Sequence, residues 1–179
     1  MKAMRAHQYG GPEQLRLEEA PDPQLLAGQV AIRVRAAGIN PADVVRLSGR
    51  LGPLPLPYIA GTDVSGEIES VGSGVSHLKR GDLVFGRALS GGYAERTCLT
   101  AGEAIPLPAN LSFEEGAAIP IPFYTAYHAL HNKAAIKSGE TVLVSAGGGG
   151  VGVAAVQLAR LAGARVITTV GSREKAEPD

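Results

Sequence analysis

The chain has few of the residues on which several common protein classes depend. Among its 179 residues there is one cysteine, Cys98, and no tryptophan. A single cysteine excludes an internal disulfide and any zinc site built from several cysteines. No uninterrupted apolar run reaches the roughly 18 residues that a membrane-spanning helix needs, and the opening stretch MKAMRAHQYGG has no apolar signal-peptide core. We therefore expect a cytoplasmic protein with no membrane partner.

Charge of either sign is not in excess, because 17 Lys and Arg balance 17 Asp and Glu. Such a chain lacks the basic surface that nucleic acid selects, so we expect no nucleic-acid partner. Histidine gives no metal motif: H-E-x-x-H does not occur, and His128 and His131 have no carboxylate beside them on their predicted helix. We therefore expect no bound metal.

Glycine is abundant instead, with 24 residues, and residues 147–150 are all glycine. This run follows a short apolar stretch at 142–145 and precedes a helical pattern at 151–162, which Gly163 ends. A second apolar, β-branched stretch covers residues 165–170. Strand, glycine turn, helix and second strand predict a βαβ unit of about 30 residues, and hence an α/β domain.

Gly147, Gly149 and Gly152 fit the spacing G-x-G-x-x-G between the predicted strand and the predicted helix. In that motif the turn is tight, the backbone approaches a pyrophosphate with no Cβ in the way, and the last glycine lets helix and strand pack. The helix start then offers N–H groups and a positive dipole end to phosphates. A glycine run alone is an ordinary flexible loop, but its flanking elements favour a dinucleotide site.

The residues after the second strand bear on which dinucleotide binds. NAD sites usually place Asp or Glu about 20 residues past the glycines, where it binds the ribose 2′-OH. Here Val170 and Gly171 are followed by Ser172, Arg173 and Lys175. One hydroxyl and two cations suit a 2′-phosphate, so we expect NADPH to be preferred over NADH. Ser172 also fits the N-cap of a following helix, and the two roles are compatible.

The first 110 residues predict a β-rich domain. Alternating apolar residues between glycine turns indicate strands at 3–9, 15–17, 30–34, 63–71, 83–87 and 93–99, as in a barrel or sandwich. One helix interrupts them, with Asn40 as N-cap, Pro41 first, Asp43 third and Leu47 near its end. The proline-rich residues 51–58 predict no regular element.

Helix signals then replace strand signals. Residues 112–115 form a predicted capping box, Pro120 and Pro122 interrupt the chain, and residues 123–133 predict a helix. The change from β-rich to helix- and glycine-rich sequence places a domain boundary near residue 122.

Seven motifs together resemble those of the medium-chain dehydrogenase/reductases, and most closely the zinc-free, zeta-crystallin-like quinone oxidoreductase branch. They are GGPEQL at 10–15, AAGINPAD at 36–43, PYIAGTDVSGEIESVG at 57–72, GDLVFG at 81–86, SGGYAE at 90–95, FYTAYHAL at 123–130 and SAGGGGVG at 145–152. The family's A-x-x-G-x-x-G variant of the fingerprint also fits. The resemblance extends from one end of the chain to the other.

The resemblance implies a GroES-like β-barrel domain at residues 1–122, which is the catalytic and substrate domain. It implies the N-terminal part of a Rossmann domain, a doubly wound parallel sheet, at 123–179. NADPH would be the cofactor. Asn40 and Asp63 would lie at the nicotinamide end as catalytic residues, although Asn40 also fits a helix cap and Asp63 a turn residue. The cofactor-binding residues would be Thr125 at the nicotinamide ribose or ring, Ala146 and Gly147 in the fingerprint turn, Gly149, Gly150, Val151 and Gly152 at the pyrophosphate, and Ser172 and Lys175 at the 2′-phosphate, with Arg173 as their neighbour.

Two departures refine the implied chemistry. Zinc-dependent relatives carry Cys where this sequence has Asn40 and a His-Glu pair where it has Thr62 and Asp63, and Asn and Thr are poor zinc ligands beside thiolate and imidazole. Many quinone oxidoreductases carry Tyr two residues after the aspartate that matches Asp43, where this sequence has Val45. A hydrogen-bond donor to a substrate carbonyl is therefore lost, which weakens the assignment of the substrate.

The implied function is hydride transfer from NADPH to a small quinone or an activated alkene such as an enone, without zinc. Two alternatives stay open: enoyl-thioester reduction, and a non-catalytic nucleotide-binding or interaction fragment. The sequence supplies only one βαβ step where a doubly wound domain has six strands. We therefore expect either a homo-oligomer or a missing C-terminal segment, and association rather than a stable, active monomer.

Overall fold

The computed structural model describes residues 1–52, 54–88, 91–173 and 176, and it divides the chain into two compact units, Met1–Pro120 and Ile121–Asp179. Unit 1 contains most of the strands, and unit 2 contains one βαβ step. No helix in the described part of the chain has the length and apolar character needed to cross a membrane.

The described residues of unit 1 form eight strands in two antiparallel sheets. They are β1 (Lys2–Ala6), β2 (Leu15–Glu19), β3 (Gln29–Gly38), β4 (Tyr58–Ile59), β5 (Asp63–Val71), β6 (Leu83–Arg87), β7 (Arg96–Thr100) and β8 (Ala104–Pro106). The larger sheet has the order β7-β3-β5-β6-β8, and the smaller has the order β2-β1-β4. β5 is the central strand of the larger sheet, and its first four residues are all buried.

The core of unit 1 lies against the larger sheet. Its most fully buried members come from β3, β5, β6 and β7, and those on β3 and β5 are separated by an even number of positions because successive strand side chains point to opposite faces. The largest of them are Val30, Ile32, Val64, Ile68, Val84 and Leu99. A smaller cluster of Ala6, Leu47, Tyr58 and Ala60 packs the smaller sheet against the first helix.

Two short helices complete unit 1. Helix α1 (Pro41–Leu47) starts with proline, whose missing N–H would have no helical partner there anyway. Helix α2 (Phe113–Ala117) begins with the predicted capping box: the Ser112 hydroxyl accepts from the Glu115 N–H, and the Glu115 carboxylate accepts from the Ser112 N–H.

Unit 2 contains two parallel strands, β9 (Thr141–Val144) and β10 (Arg165–Thr168), joined by helix α4 (Gly150–Leu161). Helix α3 (Pro120–Tyr127) leads into it and continues as a π-helical turn over His128–Lys133. Buried alanines of α4 pack with Ala126, Leu130 and Val144. Small side chains allow this close helix–strand approach.

Several predicted bounds were wrong by a few residues, each for an identifiable reason. β1 ends at Ala6, not residue 9, because Ala6 pairs with the first residue of β2. β7 starts at Arg96, not residue 93, because Ala94 bridges to β1 instead. β10 ends at Thr168, not residue 170, because Thr168 pairs with Val144, the last residue of its partner strand β9.

Other elements were missed or misplaced. The predicted helix at 123–133 begins earlier, at Pro120, since prolines are tolerated in a first helical turn whose N–H groups are unpaired. The short strands β4 and β8 were not predicted, and β4 begins inside the proline-rich stretch expected to be irregular. Both are two- or three-residue strands that pairing with longer neighbours stabilises.

Candidate functional site

The site in unit 1 lies where three strands of the larger sheet end together. Gly38, the last residue of β3, pairs with Asp63, the first residue of β5, and Asp63 pairs in turn with Arg87 at the end of β6. Helix α1 begins three residues after Gly38, so its N-cap residue, Asn40, lies close to the start of β5. The topology thus brings together two polar residues that are 23 positions apart.

Asn40 and Asp63 are joined by a direct hydrogen bond. The Asn40 Nδ2 donates to the Asp63 Oδ2 over 2.9 Å, and the two residues are 7% and 1% exposed. A carboxylate can only accept, so the amide nitrogen, not its oxygen, must face Asp63. Asn40 also occupies the N-cap position with extended backbone angles, as the alternative interpretation predicted, but its amide is bonded to the neighbouring strand.

A second buried carboxylate, Asp43, connects further residues to this pair. Its Oδ2 accepts from the Asn40 backbone N–H and from the Tyr93 hydroxyl, each at 2.8 Å. The Thr62 hydroxyl lies at 3.4 Å from the Asp43 Oδ1, which is a weak contact. We call Asn40, Asp43, Thr62, Asp63 and Tyr93 the amide–carboxylate cluster.

The two carboxylates of this buried cluster need hydrogen-bond donors, because burying an unpaired charge costs free energy. Asn40, Thr62 and Tyr93 supply these donors. Burial raises the pKa of the Tyr93 hydroxyl, and its hydrogen bond to Asp43 and the charges of Asp43 and Asp63 raise it further. Tyr93 therefore remains a neutral donor to Asp43 over the physiological pH range.

The sequence did not identify Thr62 or Tyr93 as members of this cluster. Asp43 was noted for its place in the first helical turn and as the match to a family aspartate, and Tyr93 for the motif SGGYAE and as the start of a predicted strand. The available signal was that Thr62 and Tyr93 each follow a glycine within a family motif. Their partners are 19 and 50 positions away in the chain, and spacing within one segment cannot indicate such pairings.

The donor set of this cluster bears on metal binding. An amide, a hydroxyl and two carboxylates already hydrogen-bonded to protein groups lack the thiolate and imidazole that zinc favours. Within the ranges that the structure describes, no three His, Cys, Asp or Glu side chains lie together as a metal site needs. The absence of zinc stays a prediction.

The site in unit 2 is the glycine turn, residues 146–152, between β9 and α4. Ala146 has a positive φ of 55°, and Gly149 is the N-cap of α4. A Cβ on Gly152 would collide with the Ala146 carbonyl oxygen and lie 2.8 Å from the Gly147 Cα. A Cβ on Gly147 would collide with the Thr168 side chain on β10. Glycine is therefore required at both positions for close packing, as the fingerprint implies.

The start of α4 has features that helix ends which bind anions share. Gly149, Gly150 and Val151 are exposed, and the first N–H groups of a helix have no intrahelical acceptor. At 12 residues the helix is long enough to contribute a dipole whose positive end lies here. The predicted pyrophosphate residues are thus contiguous at one accessible helix end.

The other predicted cofactor residues lie elsewhere in unit 2. Thr125 is an exposed residue of α3, and Ser172 and Arg173 are exposed in the segment after β10. The Thr169 hydroxyl lies 3.4 Å from the Ala146 N–H, linking the end of β10 to the glycine turn. Lys175 lies outside the described residues.

Comparison with known proteins agrees with this geometry. Residues 26–109 match the alcohol dehydrogenase GroES-like domain. Quinone oxidoreductase from Rattus norvegicus is 46% identical over 97% of this chain. The structure of Escherichia coli quinone oxidoreductase complexed with NADPH superposes with a TM-score of 0.89 at 38% identity over 98% of the chain. The structure of CurK enoyl reductase has the same TM-score at 33% identity.

The chain is similar in sequence and in fold to proteins of the medium-chain dehydrogenase/reductase superfamily. Unit 1 is a GroES-like β domain, and unit 2 contains the first βαβ step of a Rossmann domain. Within the superfamily the chain is similar to the N-terminal half of quinone oxidoreductases. It spans about half the length of the relatives it matches, 54% in both the rat and the E. coli case.

Proposed function

We propose that this chain is part of an NADPH-dependent oxidoreductase that reduces a quinone or an activated alkene such as an enone. The observation that supports the proposal is the close packing of Gly152 on Ala146, which brings the start of α4 against the glycine turn as a dinucleotide fingerprint requires. The likeness to a quinone oxidoreductase solved with NADPH supports the same cofactor class here.

The chain's own residues would act by binding and orienting. The N–H groups at Gly150, Val151 and Gly152 would bind the pyrophosphate. Ala146, Gly147 and Gly149 would shape the turn, because the Gly149 N–H already donates to the Ala146 carbonyl over 3.0 Å. Thr125, exposed on α3, would contact the nicotinamide ribose or ring.

When bound, the cofactor supplies the hydride. Asn40 and Asp63, fixed to each other by a buried hydrogen bond, would orient the reacting groups as the catalytic pair. The donor set of the cluster favours a reaction without zinc. We assign no general acid among the described residues.

Cofactor preference would depend on the segment after β10. Ser172, Arg173 and Lys175 would bind the 2′-phosphate that distinguishes NADPH from NADH. Lys175→Ala should weaken NADPH binding by about 1.5–3 kcal/mol and leave NADH binding unchanged, because only NADPH carries the extra phosphate. Fluorescence titration with both cofactors measures this, with Lys137→Ala as the control. Equal losses for NADPH and NADH would contradict the assignment.

Turnover is tested by following NADPH oxidation with a panel of quinones, enones and α,β-unsaturated thioesters. We expect NADPH consumption with quinones or enones, and a lower kcat in Asn40→Ala without a change in NADPH affinity. Asn110→Ala, an exposed asparagine at the end of a turn, is the matched control. Failure to bind NADPH would refute the proposal outright.

Enoyl-thioester reduction is a second candidate. It is favoured by Val45, which replaces a tyrosine expected in quinone oxidoreductases, and by the likeness to CurK enoyl reductase. Faster NADPH oxidation with an unsaturated thioester than with any quinone would select it. The third candidate is a non-catalytic nucleotide-binding or interaction fragment. Retained NADPH binding without turnover would select that one.

A further inference from the structure

Tyr93 is connected to the start of α1 through a single carboxylate oxygen. Its hydroxyl donates to the Asp43 Oδ2 over 2.8 Å, and the same oxygen accepts the Asn40 backbone N–H over 2.8 Å. Asp43 is 8% exposed, so water competes little for these bonds. The Tyr93 hydroxyl and the residue that holds Asp63 are thus bonded to the same buried atom.

The backbone around Tyr93 is attached to the segment just before Asp63. The Tyr93 N–H donates to the Ala60 carbonyl over 2.8 Å, and the Gly92 N–H donates to the Gly61 carbonyl over 3.0 Å. Gly61 has a φ of 88°, and a Cβ there would collide with the Tyr93 ring. The ring therefore packs directly on the backbone that leads into β5.

These contacts form a closed loop. Asn40 reaches Asp63 directly through its side chain, and it reaches the same segment a second time through Asp43 and Tyr93. A group held by one hydrogen bond can rotate about it, whereas a group held from two directions is fixed. Tyr93 closes the second path without contacting Asn40 or Asp63 in any described hydrogen bond.

We propose that Tyr93 is a positioning residue for the Asn40–Asp63 pair, acting through Asp43 to hold the start of α1 against the start of β5. The functional importance of this role rests on the proposed function of that pair. A purely stabilising role for the hydroxyl would make a different prediction: its loss would lower stability but leave the Asn40 amide in the same orientation and environment.

The test compares Tyr93→Phe with Tyr9→Phe in the full chain. Both variants remove one partly buried tyrosine hydroxyl, and the Tyr9 hydroxyl donates to the Leu54 carbonyl instead of to Asp43. The readout is the NMR signal of the Asn40 side-chain amide, assigned with Asn40→Ala. We expect Tyr93→Phe to shift this signal and to increase its hydrogen exchange on the order of tenfold, with no change in Tyr9→Phe.

An unchanged Asn40 signal in Tyr93→Phe, or equal changes in both variants, would overturn the proposal. Turnover adds a second readout: kcat should fall on the order of tenfold in Tyr93→Phe, with the NADPH dissociation constant unchanged. If the unmutated chain binds no NADPH and turns over no substrate, the proposed function fails. The Asn40 amide still decides the positioning role in that case.

Discussion

In unit 1 the candidate site consists of five side chains from three separate stretches of sequence, whereas in unit 2 it consists of the backbone of one continuous turn. The amide–carboxylate cluster depends on atoms that are present, because each buried polar group needs its partner. The glycine turn depends on atoms that are absent, because any Cβ at Gly152 would meet backbone. The two sites should therefore be sensitive to opposite substitutions. The amide–carboxylate cluster should be disrupted when a hydrogen-bond donor is replaced, and the glycine turn should be disrupted when a methyl group is added.

The largest effect is expected from Asn40→Asp. The substitution keeps the size and N-cap ability of the residue but places a third carboxylate opposite the buried Asp63. We expect a loss of about 2–4 kcal/mol in unfolding free energy, because a donor becomes a like charge. Urea unfolding measures it, with Asn110→Asp as the exposed control. If capping were the main role of Asn40, Asn40→Asp would be nearly neutral, since Asp and Asn cap equally well.

A smaller loss is expected from Gly152→Ala, which breaks the unit 2 site by adding one carbon. The new Cβ would overlap the Ala146 carbonyl, so the turn or α4 must shift, at a cost of about 1–3 kcal/mol. NADPH binding should be lost as well, because the N–H groups at the helix start move. Gly102→Ala is the control, since a Cβ there meets nothing within 4 Å. Full NADPH affinity in Gly152→Ala would show that the turn is not the phosphate site.

The same contrast explains which features the sequence could predict. The glycine turn, α4 and the capping box at Ser112 are local, so spacing within a few residues predicted them. The resemblance carried the GroES-like and Rossmann assignment. The bond between Asn40 and Asp63 depends on the register of β3 against β5, and the Tyr93–Asp43 bond depends on a turn 50 residues away. No local pattern encodes such pairings. The two- and three-residue strands β4 and β8 were missed for the same reason, because they depend on pairing with distant strands.

The unfolding free energy should also depend on pH through Tyr93 in the unit 1 site. The raised pKa of Tyr93 means that the folded protein holds the phenolic proton more tightly than the unfolded chain. The resulting stability is fully present below the unfolded tyrosine pKa of about 10 and is lost as the pH rises through the folded value above it. The slope for one proton is at most about 1.4 kcal/mol per pH unit, and solvent screening of the partly buried ring limits the total loss.

Urea unfolding at a series of pH values between about 8 and 11 measures this slope. Tyr93→Phe should be flatter than the unmutated chain over the alkaline part of the range. Identical pH dependence in the two proteins would mean that the hydroxyl is not coupled to Asp43 as the structure indicates.

The smallest effect on stability is expected from substitutions on two exposed edge strands, β9 and β2, which should differ in their effect on association. Leu143 on β9 is 65% exposed and Leu17 on β2 is 66% exposed. β2 carries Arg16, Glu18 and Glu19 around its leucine, and such charges discourage pairing with another chain. β9 reads TVLV with no charge, and within the described residues it pairs with β10 alone.

The free edge and apolar surface of β9 therefore favour association through unit 2 rather than through unit 1. Leu143→Lys should reduce self-association in sedimentation velocity while changing the unfolding free energy by less than about 0.5 kcal/mol, because the side chain is mostly exposed. Leu17→Lys, matched in exposure and in the residue introduced, should leave association unchanged, because its strand is already protected by charge. A chain that is monodisperse and monomeric before either substitution would refute the expectation of association. Equal reductions in both variants would show that general surface charge, and not the β9 edge, controls it.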